Sequence, residues 1–394
     1  MLFRSGGRPK LSHQGVRIGD LQPMVEAIKV VAIGLGGDSE VRFGGRGEIV
    51  IGPRRVVPMS LLASQHAGVI EQMQRQLGEA PDRRHNRFAL KLESSPEHLV
   101  RLNDIEREAW ASLDSGPVSL ADLMRESSRH GRAMARLERM GLAIYSGFTP
   151  SDAAHVLGRN THWNSEAAEI AAQSWARQMR HIYGIGQWLP GDIESPCKRI
   201  FEVVTRRIEC ALTEAGLNEQ DLLSEARARG LAEFLTDAFR ASVDSSELIT
   251  VGFNPGYRLV AVGAPAPVFY PPVAQGLGLP LTLPEHGAVA NALGAAIGSV
   301  VQRAHVTITQ PRDGVFLVHS DQAPVRFNDL HSAQRCAEEQ AMAEAKARAS
   351  AAGADEIELV VSEASNQVHD EVDGDLFLEK RITVTASGRP RLAG

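Results

Sequence analysis

The apolar positions along the chain change their period from segment to segment, and each change marks an element. Val30, Val31, Ala32 and Ile33 form an unbroken apolar run, which predicts a short buried strand entering a glycine-rich loop. Val41 and Phe43, then Ile49 and Ile51, alternate on either side of Gly44, Gly45, Arg46 and Gly47, the pattern of a hairpin with a glycine turn. A helical period covers 60–76. Residues 80–85 are polar and read as a loop, and 88–92 read as a strand.

Residues 96–147 read as an inserted helical unit. Pro96 stands just inside the start of a first helix, whose face carries Leu99, Leu102, Ile105, Trp110 and Leu113. Pro117, Val118, Ser119 and Leu120 open a second helix. Residues 132–140 give a third, stopped at Gly141, and 142–145 return as a strand. Helices followed by a strand, with Arg129, Arg132, Arg136 and Arg139 near the last helix, are the layout of a winged helix.

Helical periods recur over 152–158, 165–183, 195–215 and 218–241, and strands are predicted over 247–251 and 257–262. The second strand ends in Gly263, Ala264, Pro265 and Ala266. A helix over 268–277 follows, blunted by Pro271 and Pro272. A short strand at 281–283 precedes a small-residue helix over 288–302. The tail reads as strands at 305–310 and 314–320, an Ala-rich helix over 329–352 closed by Gly353, and strands at 356–362 and 375–386. That order is a small α+β domain.

Composition narrows the classes. Hydrophobic residues are 43% of the 394 but aromatics only 5%, so the cores must be aliphatic. The formal charge is -6, without the basic excess of a nucleic-acid binder. Nucleic acid is therefore a poor fit as a partner, and the winged-helix layout points to packing or regulation. Cys197, Cys210 and Cys336 form no C-x-x-C pair, which suits a reducing compartment and offers no thiol metal site. No secretory signal is visible, and the weakly polar run at 288–301 is too short to span a bilayer. The reading is a cytoplasmic protein without a membrane partner.

Four segments carry residues of chemical interest. Gly34, Gly36 and Gly37 follow a strand and would let backbone N–H groups approach an anion, with Asp38 and Ser39 behind them for water or a phosphate-bound cation. The same residues suit a tight turn into the hairpin. No Gly-Lys-Ser/Thr follows, so this is not a Walker loop, and the spacing of a dinucleotide site is absent. Gly263, Ala264, Pro265 and Ala266 lie at the carboxyl end of a strand, where open α/β sheets place ligands and small residues leave room for a flat base. Thr149 or Ser151 caps a helix that carries Asp152 near its start. Pro284, Glu285, His286 and Gly287 lead into a helix where Gly294 and Gly298 allow close packing. Asp38 and Asp152 are the candidate catalytic carboxylates.

Taken in order, these segments resemble the hydantoinase/oxoprolinase family (hydantoinase A-like), whose ATPase core belongs to the actin, hexokinase and heat-shock ATPase superfamily. The family's Gly-x-Gly-Gly-x-Ser segment is matched by Gly34, Gly36, Gly37 and Ser39. Its Thr-x-Thr-Asp-Ala segment is matched by Thr149, Ser151, Asp152 and Ala153, with Leu157 and Gly158 behind. Its small-residue nucleotide turn is matched at 263–266 and its closing helix at 288–298, so the resemblance covers 7–301. Departures are plain. The family's two Asp-Gly-Gly-Thr-like phosphate loops are absent. Lys29, Val31 and Ala32 stand where Asp-x-His-Thr is common, Ser151 stands for Thr, and Asp38 stands for a third glycine. They bear on the substrate more than on the fold.

The resemblance implies an α/β protein: the second lobe of an actin-like (ribonuclease H-like) ATPase fold with a helical insert and a C-terminal small α+β domain. The corresponding division is 1–95 and 148–302 for the ATPase core, 96–147 for the insert and 303–394 for the tail. It implies ATP and Mg2+ as cofactors and a cyclic amide or related carbonyl compound as the small-molecule substrate of a hydrolase. It also allows a second hydantoinase-type subunit or a homo-oligomer as partner. Gly263, Ala264, Pro265 and Ala266 would border adenine, and residues 34–39 would face phosphates or substrate. The abrupt start and the missing phosphate loops lead us to expect a native protein that begins upstream and a truncated fragment inactive by itself. The competing expectation is a non-catalytic nucleotide- or partner-binding module derived from the same fold.

Overall fold

The computed structural model of the chain describes residues 30–45, 48–93, 99–186, 188–219, 224–242, 252–254, 256–321, 323–370 and 374–391, with the backbone of Arg4–Ser5, Arg8–Pro9, Leu11–Ser12 and Ala27–Ile28. It is a mixed α/β protein with several sheets, in two units, Met1–Ala288 and Val289–Gly394.

In the first unit, alternation produces the expected hairpin. Strands β1 (Ser39–Phe43) and β2 (Ile49–Arg55) pair antiparallel, Val41 opposite Ile51 and Phe43 opposite Ile49. Gly44 N–H donates to Glu48 O at 3.0 Å, and Gly45 takes φ +86°, a left-handed conformation natural to glycine. The strand expected over 30–33 does not form. Val30 makes a single bridge, and Val30 and Ile33 are each 41% exposed. An apolar run becomes a buried strand only where neighbours pair with it and cover it.

The helix expected over 60–76 is two helices, α1 (Met59–Gln65) and α2 (Gly68–Gly78), after the short strand β3 (Val57–Pro58). They break at His66, which turns extended (φ -136°, ψ 92°), and Gly68, a weak helix former, stands two residues on. Strand β4 (Phe88–Lys91) then leads into the insert.

Residues 99–147 have a core of their own, built on Leu102, Leu113, Leu123, Met134, Leu137 and Leu142. The expected helix is interrupted: Leu99 is helical, and a further helix begins after residues 100–103. Helix α3 (Asp104–Ala111) starts at a capping box in which Asn103 and Glu106 satisfy each other's backbone N–H groups. Leu99 and Leu102 precede it, and residues 95–97 lie outside the described residues. Then come β5 (Val118–Ser119), α4 (Leu120–Glu126), α5 (Ser128–Arg139) and β6 (Ala143–Gly147). The sheet order is β3-β6-β4-β5: β6 runs parallel to β3 and antiparallel to β4, which is antiparallel to β5. Strand β6 thus ties the insert to the hairpin side of the core.

Helices α6 (Pro150–Val156), α7 (Ser165–Tyr183), α8 (Glu194–Glu219) and α9 (Glu225–Ser242) follow. Met59, Leu62, Phe88, Trp175, Ile200 and Phe269 meet in the main core. The strand expected over 247–251 lies outside the described residues. The one expected over 257–262 is short, β7 (Leu259–Val260). It pairs parallel with β8 (Leu281–Thr282) across α10 (Ala266–Gly276), a small βαβ unit. Pro271 and Pro272 do not break α10, because Phe269, Val273 and Leu277 anchor it on both sides of them.

In the second unit the small-residue helix is α11 (Ala290–Ile297), shorter than 288–302. Gly298 turns extended (φ -60°, ψ 147°) and the chain becomes strand β9 (Val300–Arg312), whose β-branched residues pair with a partner strand. Strands β10 (Val315–His319) and β11 (Val325–Phe327), helix α12 (Leu330–Ala351) and the hairpin of β12 (Ala354–Asp370) and β13 (Gly374–Pro390) complete it. The antiparallel sheet has the order β11-β10-β9-β13-β12. Asp329 caps α12 through Ser332 N–H at 2.8 Å. Five alanines, at 333, 337, 341, 345 and 349, form the buried face of α12, each 0% exposed.

Candidate functional site

The glycine-rich loop folds back on its own hairpin. Ser39 N–H donates to Gly36 O at 3.1 Å and Gly36 N–H to Ser39 Oγ at 2.9 Å, a closed reciprocal turn. A Cβ on Gly34 would stand 2.6 Å from Pro53 Cβ, and one on Gly36 would stand 2.9 Å from Asp38 Oδ1. Close packing against protein thus accounts for both glycines. Asp38 is partly exposed and accepts from Arg55 Nε at 2.7 Å, and this hydrogen bond and charge push the Arg55 pKa up. Asp38 is thus held by a protein partner.

Gly37 is where three of the segments meet. Its carbonyl accepts from Ser151 N–H at 2.9 Å. A Cβ there would stand 2.6 Å from Ser151 Oγ and 3.5 Å from Pro265 Cβ. The bare glycine lets the loop, the start of α6 and the turn before α10 touch. The fourth segment joins through Gly263, whose N–H donates to Gly287 O at 2.7 Å, while Gly287 N–H donates to Pro284 O at 2.9 Å. Motifs far apart in sequence therefore lie side by side, at the carboxyl ends of the parallel strands β7 and β8, where α/β sheets expose ligand sites.

Asp152 sits behind this meeting point, fully buried. Its Oδ1 accepts from Ser60 N–H at 2.8 Å and Ser60 Oγ at 2.6 Å. Its Oδ2 accepts from Met59 N–H at 3.2 Å, Thr149 N–H at 3.0 Å and Thr149 Oγ1 at 2.8 Å. Burial pushes the carboxyl pKa up, and the donors of Ser60, Thr149 and Met59 pull the other way. With both oxygens taken up, Asp152 has the geometry of a clamp that starts α1 and α6 together. It does not have that of a group that meets substrate. Cys197 lies in the same core, its thiol pushed up to about 12, chiefly by burial. At that value it is inert.

The turn at 263–265 is open, whereas Ala266, the first residue of α10, is buried. Ala264 and Pro265 are exposed, Gly263 takes φ +103°, and Val262 and Leu283 beside it are 53% and 40% exposed. Its donors are few. Gly263 N–H is spent on Gly287 and Ala266 N–H on Gly263 O at 3.0 Å, while Pro265 and Pro267 have none. Such a surface fits the flat apolar face of a base and does not fit phosphates, which need converging N–H groups. Among the described residues no group of three His, Cys, Asp or Glu side chains is placed to hold a metal ion, so none of these residues is assigned to Mg2+.

One buried carboxylate escaped the sequence reading. Glu209 of α8 is 1% exposed and accepts from Arg240 Nε at 2.6 Å. It lines a cavity of about 280 Å3 with Thr205, Arg240, Pro272, Gln275 and Gly276. Burial pushes its pKa up, against the pull of Arg240. A Cβ on Gly276 would stand 2.8 Å from its Oε1, so the glycine makes its room. The available signal was the i, i+4 row of Phe201, Thr205, Glu209 and Thr213, in which polar residues continue a buried stripe. This cavity lies at the far end of α10 from the turn. No family model, curated protein or solved structure matches the chain.

Proposed function

We propose that the chain forms the second lobe of an actin-like ATPase whose whole enzyme activates a cyclic amide or related carbonyl compound for hydrolysis, as hydantoinases and oxoprolinases do. The observation that carries this reading is the meeting of four separated motifs at Gly37 and Gly263. An amide carbonyl is a poor electrophile. Transfer of the γ-phosphoryl group of ATP to its oxygen, with ADP leaving, lets water add to the carbon. The adduct breaks its C–N bond, opening the ring, and a second water releases phosphate from the acyl phosphate so formed, with catalysis mainly positioning and electrostatics. In this reading Gly263, Ala264 and Pro265 take the adenine face, and Ala266, buried at the start of α10, does not reach it.

The test is calorimetry of ATP with Mg2+ on this chain and on the same chain extended upstream in its reading frame. Binding by the extended chain, weakened about tenfold or more by Ala264→Trp as bulk enters the base surface, supports the reading. Absence of binding by both, with both folded, rejects it. A second reading, a nucleotide- or partner-binding module without turnover, is favoured by the commitment of Asp38, Ser39 and Asp152 to protein partners. ATP binding without phosphate release in the presence of hydantoins or oxoproline would select it.

A further inference from the structure

We propose that the insert binds double-stranded DNA, with α5 as the helix that enters the major groove. The inference is independent of the ATPase reading and rests on the outer face of α5. Helices α4 and α5 are joined by one residue, Ser127. Its N–H donates to Leu123 O at 2.9 Å, closing α4, and its Oγ accepts from His130 N–H at 3.3 Å, opening α5. A Cβ on Gly131 would collide with Met124, so α4 crosses α5 closely near its first turn. Ala133, Met134 and Leu137 bury the inner face of α5 in the insert's core. Three helices on a small sheet, the last with an apolar inner face and a free outer face, have the layout of helix-turn-helix domains, here with a one-residue joint.

The outer face carries Arg129, Arg132, Arg136 and Arg139, all exposed. Their spacing confines them to an arc of about 80° along about 15 Å of helix. Among the described residues Arg129 and Arg132, nearest the helix start, form no salt bridge. Arg136 is paired with Glu106 at 2.9 Å, and Arg139 reaches Ala135 O at 3.3 Å. Of the carboxylates facing α5, Glu138 is engaged by Arg54 at 2.7 Å, Glu106 by Arg136, and Glu108 of α3 lies 3.3 Å from His130, which leaves Arg129 and Arg132 as the unpaired cations of the stripe among the described residues. A cationic ridge on a rigid helix is complementary to the phosphates that flank a groove about 12 Å wide. The chain's net negative charge does not speak against it, because charges beyond about 8 Å are screened at physiological salt.

The experiment is fluorescence anisotropy of the full chain with a labelled random-sequence duplex of two helical turns, from 50 to 200 mM salt. Log affinity is expected to fall linearly with log salt, by about 0.9 per phosphate contacted. Arg129→Gln with Arg132→Gln should lower that slope by about 2 and weaken binding about tenfold or more at 50 mM salt. The control pair Lys198→Gln with Arg199→Gln, exposed on α8, should change neither. Circular dichroism checks that both variants fold. Absence of duplex binding at 50 mM salt would overturn the proposal, and so would an equal loss in the control. Equal affinity for duplex RNA or heparin, with the same slope, would also overturn it, as the mark of a general polyanion surface.

Discussion

Asp152 accepts from the first two N–H groups of α1, from Ser60 Oγ and from both donors of Thr149, so one side chain starts two helices. Asp152→Ala leaves these donors buried without acceptors. It should cost about 3 kcal/mol or more, read from urea denaturation. Asp152→Asn should rescue little, since its amide would point donor at donor. The sequence shows Asp152 near a helix start but not Ser60, which lies 92 residues earlier and reaches it only through tertiary packing. Cys197 adds a pH dependence. A thiol whose pKa climbs from 9.0 to about 12 on folding stays protonated in the folded chain but ionises in the unfolded one. Stability should therefore decline as pH rises past 9.0. Cys197→Ala should flatten that decline, and in the native wild type Cys197 should resist thiol labelling at pH 8 until the chain unfolds.

Elements were legible where period and punctuation agreed. The first hairpin has alternation and a glycine turn. Helix α12 has a long Ala-rich period, a cap at Asp329 and a stop at Gly353, and both formed where expected. The misreadings share a cause: a local pattern was overruled by the partner available. Residues 30–33 are apolar but stay exposed, and the 288–302 helix stops at Gly298 because the next residues pair with β13. Capping chemistry also divided elements, as where Asn103 opens α3 afresh after the helical Leu99. On α12 the alanine stripe admits no larger residue. Ala341→Leu should destabilise by about 1–3 kcal/mol through overpacking, measured by thermal or urea unfolding.

At the scale of the molecule, the two units each have a core, and the second is a single sheet with α12 packed across it, preceded by α11. Residues 289–394 expressed alone should unfold in one cooperative transition by circular dichroism. A broad, non-cooperative melt would contradict the division. The meeting of Gly37, Ser151, Pro265 and Gly287 was not legible in periodicity. These residues are separated by long stretches of chain, and only the parallel pairing of β7 with β8 and the absence of a side chain at Gly37 bring them together. The order of the motifs is written in the sequence, and their adjacency comes from the fold.

The alanine stripe of α12 has a further consequence. Alanine sets how closely a helix lies on a sheet but offers no knobs to lock into it, so the contact behaves as a rail along which axial register is weakly marked. Register is marked instead by Leu330 and Met342, which pack on the same core, and by the Asp329 cap, the turn at Gly353, and the links of Lys380 to Gln334 and of Arg348 to Asp321. Side chains at four-residue spacing also wind about 40° around the helix at each step. Five of them can stay buried only because the sheet beneath twists along with them.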